Sequence, residues 1–473
     1  MPLTVYALSA YRSPGFWDVG EMDVVPWILG IAHPTGFPAF TVLGFLFTHL
    51  LPFGTVAWRM SIFSALGMST AAWCIYRIVD DSCDAPWIGA ACAWCFAFGE
   101  IAWTRATRAE VHALAIAAIA VTLLCALRWY RTSDSRYLLA GAGAWGVGMA
   151  VHPVAVLLFP ALFVVLLARM HDVSSRRLLA AIGLCALIVA GFYAYLPLRS
   201  TYVGAHRLDP TRALGLPAGR PFWDYDQPST MHGFIKLVTG SGFGVGEGVR
   251  SIVDPQVYEK RGGLYLAAVW QELTPIGIAL ALLGIIVALR RDRVRASVLL
   301  LAGFPSVPFA LGFTQEADFR RYFLTSFLIC AIFIGEGLGT LCAGRLRLRR
   351  WAAIGLALLA ATLLISGRSL FAQPYDNRAS RAVDRVLQLT PHNAILVAAW
   401  TYATPLAYAA YVEDRLGGRT LDAAWLGNDA AYIPGWLRRR PVYVVGLPEG
   451  SLPGYRLEAV ASMPPLYRVV KRP

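Results

Sequence analysis

The chain has 473 residues, of which 57% are hydrophobic and only 15% charged, and its mean hydropathy is +0.54. Water-soluble domains carry about 25% charged residues, so composition excludes an ordinary soluble protein and favours a polytopic α-helical membrane protein. The formal net charge of +13 would suit nucleic acid, but the arginines fall in short loops between apolar runs, a topology pattern of membrane proteins, and no nucleic-acid partner is expected.

The first apolar piece, residues 1 to 11, is short for a span of about 20 residues. It lacks the basic start and small-residue cleavage site of a signal peptide. Next comes an acidic stretch, Phe16-Trp17-Asp18-Val19-Gly20-Glu21, followed by the turn His33-Pro34-Thr35-Gly36. Residues 37–51 are apolar, short and bracketed by prolines, which predicts a re-entrant or interfacial helix. Spans are predicted near 57–79, 85–103, 110–130, 136–151, 153–170, 177–196, 264–289, 295–313, 322–342 and 351–371; with the first piece this makes about eleven transmembrane helices.

Arginine asymmetry sets the expected orientation. Arg77, the group Arg128, Arg131 and Arg136, the group Arg169, Arg176 and Arg177, the run Arg290 to Arg295, and Arg345 to Arg350 occupy alternate loops. By the positive-inside rule these loops and the N-terminus are cytoplasmic. The acidic stretch, the 104–109 turn, His152, the loop 197–263, the 314–321 turn and the tail after 372 are then extracytoplasmic.

The tail changes composition. Asp376 to Gln388 and Thr401 to Arg415 read as helices, and Ala394 to Ala398, Val442 to Val445, Leu457 to Ala461 and Leu466 to Val470 as strands. The chain is therefore divided into a membrane domain, 1–373, with outer loops 12–56 and 197–263, and a small extracytoplasmic α/β domain, 374–473. Gly417-Gly418 follows a helix and reads as its C-cap, not as a nucleotide loop. Of the eight cysteines, none lies in the two long hydrophilic stretches, so neither a disulfide framework nor a zinc site is expected; Cys92-Ala93-Trp94-Cys95 sits inside an apolar run and reads as packing.

The residues suited to chemistry gather in the outer loops. A carboxylate at the membrane surface among aromatics and glycine, such as Asp18 or Glu21, can serve as a general base, because partial desolvation raises its pKa. The same Asp-x-x-Glu spacing also fits a capping box, with Asp18 as N-cap and Glu21 its partner, and both readings stand. Asp23, on the same turn, is at most a supporting acid. His33, in a turn stiffened by Pro34 and Pro38, can bind a sugar hydroxyl or a phosphate, or satisfy a backbone carbonyl.

Glu100, Arg105, Arg108, Glu110 and His112 flank the second outer turn. Arginine on the outer face suits an anionic headgroup or lipid phosphate, which a guanidinium binds through two donors; the alternative is an ion pair with Glu100 or Glu110. Arg320 and Arg321, beside Glu316 and Asp318, repeat the pattern, and Arg199 stands where a helix leaves the bilayer. Phe222-Trp223-Asp224-Tyr225-Asp226 has the aromatic and acidic residues of a sugar-binding loop, and the glycine-rich run Gly240 to Gly246 reads as a lid.

These motifs resemble a known family. The stretch 16–21, Leu29 to Pro38, Leu51-Pro52-Phe53-Gly54, Ala57-Trp58-Arg59-Met60, Ala109 to Leu114, Tyr195-Leu196-Pro197-Leu198-Arg199 and Trp223-Asp224 occur in the order found in the transmembrane protein 260-like protein O-mannosyltransferases, of the GT-C superfamily of membrane glycosyltransferases. The resemblance covers roughly residues 1–250; Thr35 replaces a usual proline, and Ala150-Val151-His152 a usual Gly-Asn-His. It implies an inverting glycosyltransferase in which Asp18 is the catalytic base and Glu21 its neighbour. Arg199, Arg105, Arg108 and Arg320 become candidates for donor phosphate, and His33, Glu110, His112, Trp223 and Asp224 for substrate.

The implied partners are a polyprenyl-phosphate sugar, expected to be mannose, a hydroxyl acceptor, expected to be Ser or Thr of exported proteins, and the bilayer; no cofactor or metal is required, although the acid pair could hold a divalent metal. The expected location is a bacterial inner membrane. The competing reading is a transporter or lipid flippase, which places charges and broken helices near the bilayer midplane in two corresponding halves. Few central charges and no internal repeat are visible. A noncatalytic sensor built on the tail would leave the acids and arginines of the other outer loops unexplained.

Overall fold

A computed structural model of the chain describes residues 1–243, 250, 253–313, 318–423, 429–448, 451–452 and 454–471. Glu316 and the glycine-rich run beyond residue 243 lie outside the described residues. Eight helices among the described residues are long and apolar enough to cross a membrane, including Val56–Cys83, Val111–Thr132, Ser175–His206, Pro255–Arg291 and Phe319–Leu341. The chain is an integral membrane protein.

Three of the expected spans are shorter than this: Pro2–Ser9, Pro86–Phe98 and Ser135–Val151. Pro86–Phe98 stops at Gly99, where a second short helix, Glu100–Ala106, begins. Two other helices run further than expected. Ser175–His206 continues through Pro197, because a proline removes one backbone donor while its own fixed φ remains helical. Pro255–Arg291 is broken at Thr274, immediately before Pro275. Pro38–Leu50 forms the short apolar helix expected between the prolines.

The chain divides into two compact units. The first comprises Met1–Ser9, Ser64–Phe192 and Ser241–Phe371 and holds most of the membrane helices. Arginines assigned to the cytoplasmic loops are neutralised locally: Asp81 accepts from Arg77 at 3.0 Å and Arg128 at 2.6 Å, and Arg295 pairs with Glu336. Within the span Pro255–Arg291, Glu272 accepts from the Ile101 backbone N–H at 2.9 Å.

The second unit comprises Ala10–Phe63, Tyr193–Gly240 and Ala372–Pro473, so the tail is compact with two segments far upstream. Its sheet has strands β1 (Ile395–Ala398), β2 (Thr420–Ala423), β3 (Val442–Val445), β4 (Tyr455–Ala461) and β5 (Leu466–Lys471) in the order β2-β1-β3-β5-β4. β1 is parallel to β2 and β3, while β5 runs antiparallel to β3 and β4. β1 and β3 are continuous buried runs, as strands covered on both faces must be.

The core under one face contains Ile395, Val397, Val442, Val444 and Trp436 together with Leu214 and Leu216 of the 197–263 segment. Trp436 Nε1 donates to the Leu214 carbonyl at 2.8 Å. β2 and the short helix Ile433–Leu437 were not expected from the sequence. Gly417 lies at φ 61, beyond the end of helix Trp400–Tyr411, and the chain then enters β2.

Candidate active site

In the second unit the acidic stretch forms the eight-residue helix Trp17–Val24. Phe16 flanks its N-terminus and no side chain caps it, so the capping-box alternative is not realised. The helix begins one residue before Asp18. Trp17 enters at φ 56, a left-handed conformation that costs a bulky residue on the order of 1–3 kcal/mol, and its indole is 60% exposed. Asp18 and Glu21, three residues apart, share one helix face.

The two acids have different surroundings. Glu21 is fully buried, and both of its oxygens go to His33: one accepts from the backbone N–H at 2.9 Å and the other pairs with ring Nδ1. Asp18 is half-buried, and its Oδ1 accepts from Trp400 Nε1 at 2.9 Å. Asp23 is buried, and burial pushes its carboxyl well above the ordinary range against a 3.2 Å hydrogen bond from the Gly15 N–H. Its place is structural support of the turn.

Asp18, Glu21 and His33 each offer one ligand atom within 4.8 Å of the others, an O,O,N set that suits a divalent cation. As arranged, two of those three groups bind each other. Glu21 fixes Nδ1 as the bonded ring nitrogen and so sets the orientation of Nε2.

The segment leading to His33 is held by its backbone. The Tyr195 hydroxyl lies 2.7 Å from the carbonyls of both Leu29 and Gly30. Arg199 Nη2 donates to the Ile28 carbonyl at 3.0 Å, and Ile31 N–H to the Phe222 carbonyl at 3.0 Å. A Cβ at Gly30 would fall on that Phe222 oxygen, so only glycine fits. Tyr195 and Arg199 thus clamp the turn that presents His33, a role the motif did not reveal.

Trp223 packs edge-on against Tyr411, ring centres 5.5 Å apart. Asp224 is only 3% exposed, and burial pushes its carboxyl up to about 6. Of the two residues proposed for sugar, Trp223 is therefore half-buried and Asp224 enclosed, with Phe222 and Tyr225 beside it also buried.

In the first unit, Arg105, Arg108 and Arg321 converge on Glu110 and Asp318. Arg105 is buried, pairs with Asp318 and lies 3.7 Å from Glu110. Arg108 reaches Asp318 at 3.1 Å and Glu110 at 3.3 Å, Arg321 lies 4.0 Å from Glu110, and His112 Nδ1 is 2.9 Å from it. Burial disfavours the charge on Glu110, but the hydrogen bond and charge of His112, then Arg321 and Arg108, outweigh it and hold the carboxyl well below the ordinary range.

Among the described residues, three guanidiniums against two carboxylates leave a positive excess. Arg320 stands outside this cluster: it donates to Gln271 at 2.7 Å, and Gln271 in turn binds Glu100. Arg321 and Asp318, which the sequence offered only as a repeat of the arginine-and-acid pattern, are members of the cluster, and among the described residues Arg105 and Arg108 pair with Glu110 and Asp318, not with Glu100.

The fold is that of a polytopic α-helical membrane protein that carries a small α/β fold in its tail. The chain superposes on the crystal structure of ArnT from Cupriavidus metallidurans in the apo state with a TM-score of 0.56 at 14% identity, covering 99% of this chain and 96% of that one. ArnT bound to undecaprenyl phosphate gives the same values. The resemblance drawn from the motifs is borne out as well: residues 18–175 match the family described as Protein O-mannosyl-transferase TMEM260 N-terminal domain.

Among curated relatives, Protein O-mannosyl-transferase TMEM260 of Mus musculus is 25% identical over 422 residues, 83% of this chain and 57% of that protein. The Dictyostelium discoideum protein of the same name is 34% identical over 128 residues, 27% of this chain and 16% of its own length. The chain thus spans little more than half the length of the mouse protein.

Proposed function

We propose that the chain is an inverting glycosyltransferase that moves mannose from a polyprenyl-phosphate donor to a serine or threonine hydroxyl of an exported polypeptide, at the extracytoplasmic face of its membrane. The observation that carries this reading is the unequal state of the two acids: Glu21 is committed to His33 through both oxygens, while Asp18 is half-buried. The O-mannosyl-transferase relatives and the undecaprenyl phosphate held by ArnT support the donor and reaction class.

Asp18 accepts the proton of the acceptor hydroxyl as that oxygen attacks C1 on the face opposite the phosphate. The new C1–O bond forms, the C1–O bond to phosphate breaks, and the electron pair leaves on polyprenyl phosphate. The proton passes from Asp18 to solvent. Arg199 is assigned to the developing phosphate charge, and His33, oriented by Glu21, to a sugar hydroxyl. In the other unit, the excess charge of the Arg105–Arg108–Arg321 cluster is assigned to an anionic lipid headgroup. The reaction so written uses no metal: transfer is expected to persist in EDTA, and activity lost to EDTA and restored by Mg²⁺ or Mn²⁺ would reassign Asp18, Glu21 and His33 as ligands.

The test is a transfer assay on the purified full chain with polyprenyl-phosphate mannose, glucose or galactose and a Ser/Thr-rich peptide, read by peptide mass. Transfer from the mannose donor is expected. Movement of intact donor across vesicles without any transfer would favour a flippase instead.

A further inference from the structure

We infer that Trp400, from the C-terminal α/β fold, is a positioning residue for the reaction: its indole N–H holds the Asp18 carboxylate in the orientation from which it takes the acceptor proton. This inference rests on Asp18 being the base.

The indole is fixed in three ways. Its backbone opens helix Trp400–Tyr411 directly after β1, the carboxyl end of a central parallel strand, where α/β sheets present functional groups. The preceding residue, Ala399, donates its N–H to the Val445 carbonyl at 2.9 Å and so ties the helix start to β3. The ring stacks on Phe222 with centres 5.5 Å apart and planes within 8°, and Phe222 is itself 2% exposed.

The acidic helix lies directly on Trp400–Tyr411. A Cβ at Gly20 would sit 2.8 Å from the Thr404 hydroxyl, so glycine permits this close approach. Phe16 meets Tyr402 edge-on at 5.8 Å, and the Tyr408 hydroxyl accepts from the Ala57 N–H at 3.2 Å. Both ends of the Trp400–Asp18 bond are therefore anchored by packing that does not depend on the bond itself.

An indole N–H is a donor only and carries no charge. It can orient a carboxylate without forming the ion pair that would lower its basicity much further, whereas a lysine or arginine there would weaken the base. Removing the donor should misorient Asp18 and, because the bond favours the ionised form, make it harder to deprotonate.

Trp400→Phe keeps the ring stacked on Phe222 and deletes only the donor. In a transfer assay on the purified full chain, we expect kcat to fall about tenfold with KM within about twofold of wild type. The acidic limb of the kcat/KM profile should move to higher pH by about one unit. Unchanged kcat and limb would overturn the inference, and so would a lower kcat with an unmoved limb, which marks a loss of folded protein only. Asp18→Asn is measured alongside: if it stays active, the base assignment itself fails, whereas an inactive Asp18→Asn with an unaltered Trp400→Phe refutes only the role of Trp400.

Discussion

Glu21→Ala gives the sharpest stability test of the site. Glu21 is fully buried and accepts from the His33 backbone and pairs with the His33 ring. A hydrogen bond to a charged group contributes about 1.5–3 kcal/mol, so losing two costs about 3–6 kcal/mol and strands a backbone N–H. His33→Ala deletes the ring's bond to Glu21 but keeps the backbone one, and should cost about half as much. In the double mutant the ring bond is lost once, so a double-mutant cycle should return a coupling of about 1.5–3 kcal/mol. The assay is thermal unfolding of the purified protein, in which the lower bound for Glu21→Ala corresponds to a fall of about 6 °C or more. Additive effects of the two single changes, or a melting point for Glu21→Ala within about 2 °C of wild type, would refute the reasoning.

Arg320 and Arg321 separate cleanly. Arg321→Ala removes a half-shielded partner of buried Glu110, while Arg320→Ala removes one bond to Gln271; transfer rate should fall at least about tenfold for the first and less than about twofold for the second, and equal losses would dissolve the cluster assignment. Asp224 predicts a pH effect. Its folded carboxyl titrates near 6, above the ordinary 3.8, because of burial, so the folded state holds the proton more tightly. That contribution to stability is complete below about pH 4 and is lost as pH rises to about 6. Asp224→Asn should abolish this decline; an unchanged slope of melting temperature between pH 4 and 6.5 would contradict it.

Much of the architecture was legible in the chain because its physics is local. Apolar run length marked the membrane helices, and the buried runs Ile395–Ala398 and Val442–Val445 declared the central strands. β2 escaped because its four residues, Thr420–Ala423, include Asp422, a carboxylate buried against Arg220; burial through an ion pair leaves no apolar pattern. Asp18 was legible as a candidate from its setting, but its state was not. Whether it capped its helix depended on the start falling at Trp17, and its hydrogen bond comes from a residue 382 positions away. Glu21 likewise found its partner 12 positions on. Arg320 and Arg321 are neighbours in sequence, and only the 3-10 turn Phe319–Phe323 decides which reaches Glu110.

The central claim is that Asp18 takes the proton from the acceptor. Asp18→Asn preserves size and can still accept the Trp400 hydrogen bond through its amide oxygen, so folding and membrane insertion should be retained. The decisive measurement is the rate at which purified Asp18→Asn transfers mannose from polyprenyl phosphate to a Ser/Thr peptide. The account predicts a loss of at least about 10²-fold, the lower end for general-base catalysis, with melting temperature unchanged; wild-type turnover in that variant would contradict it.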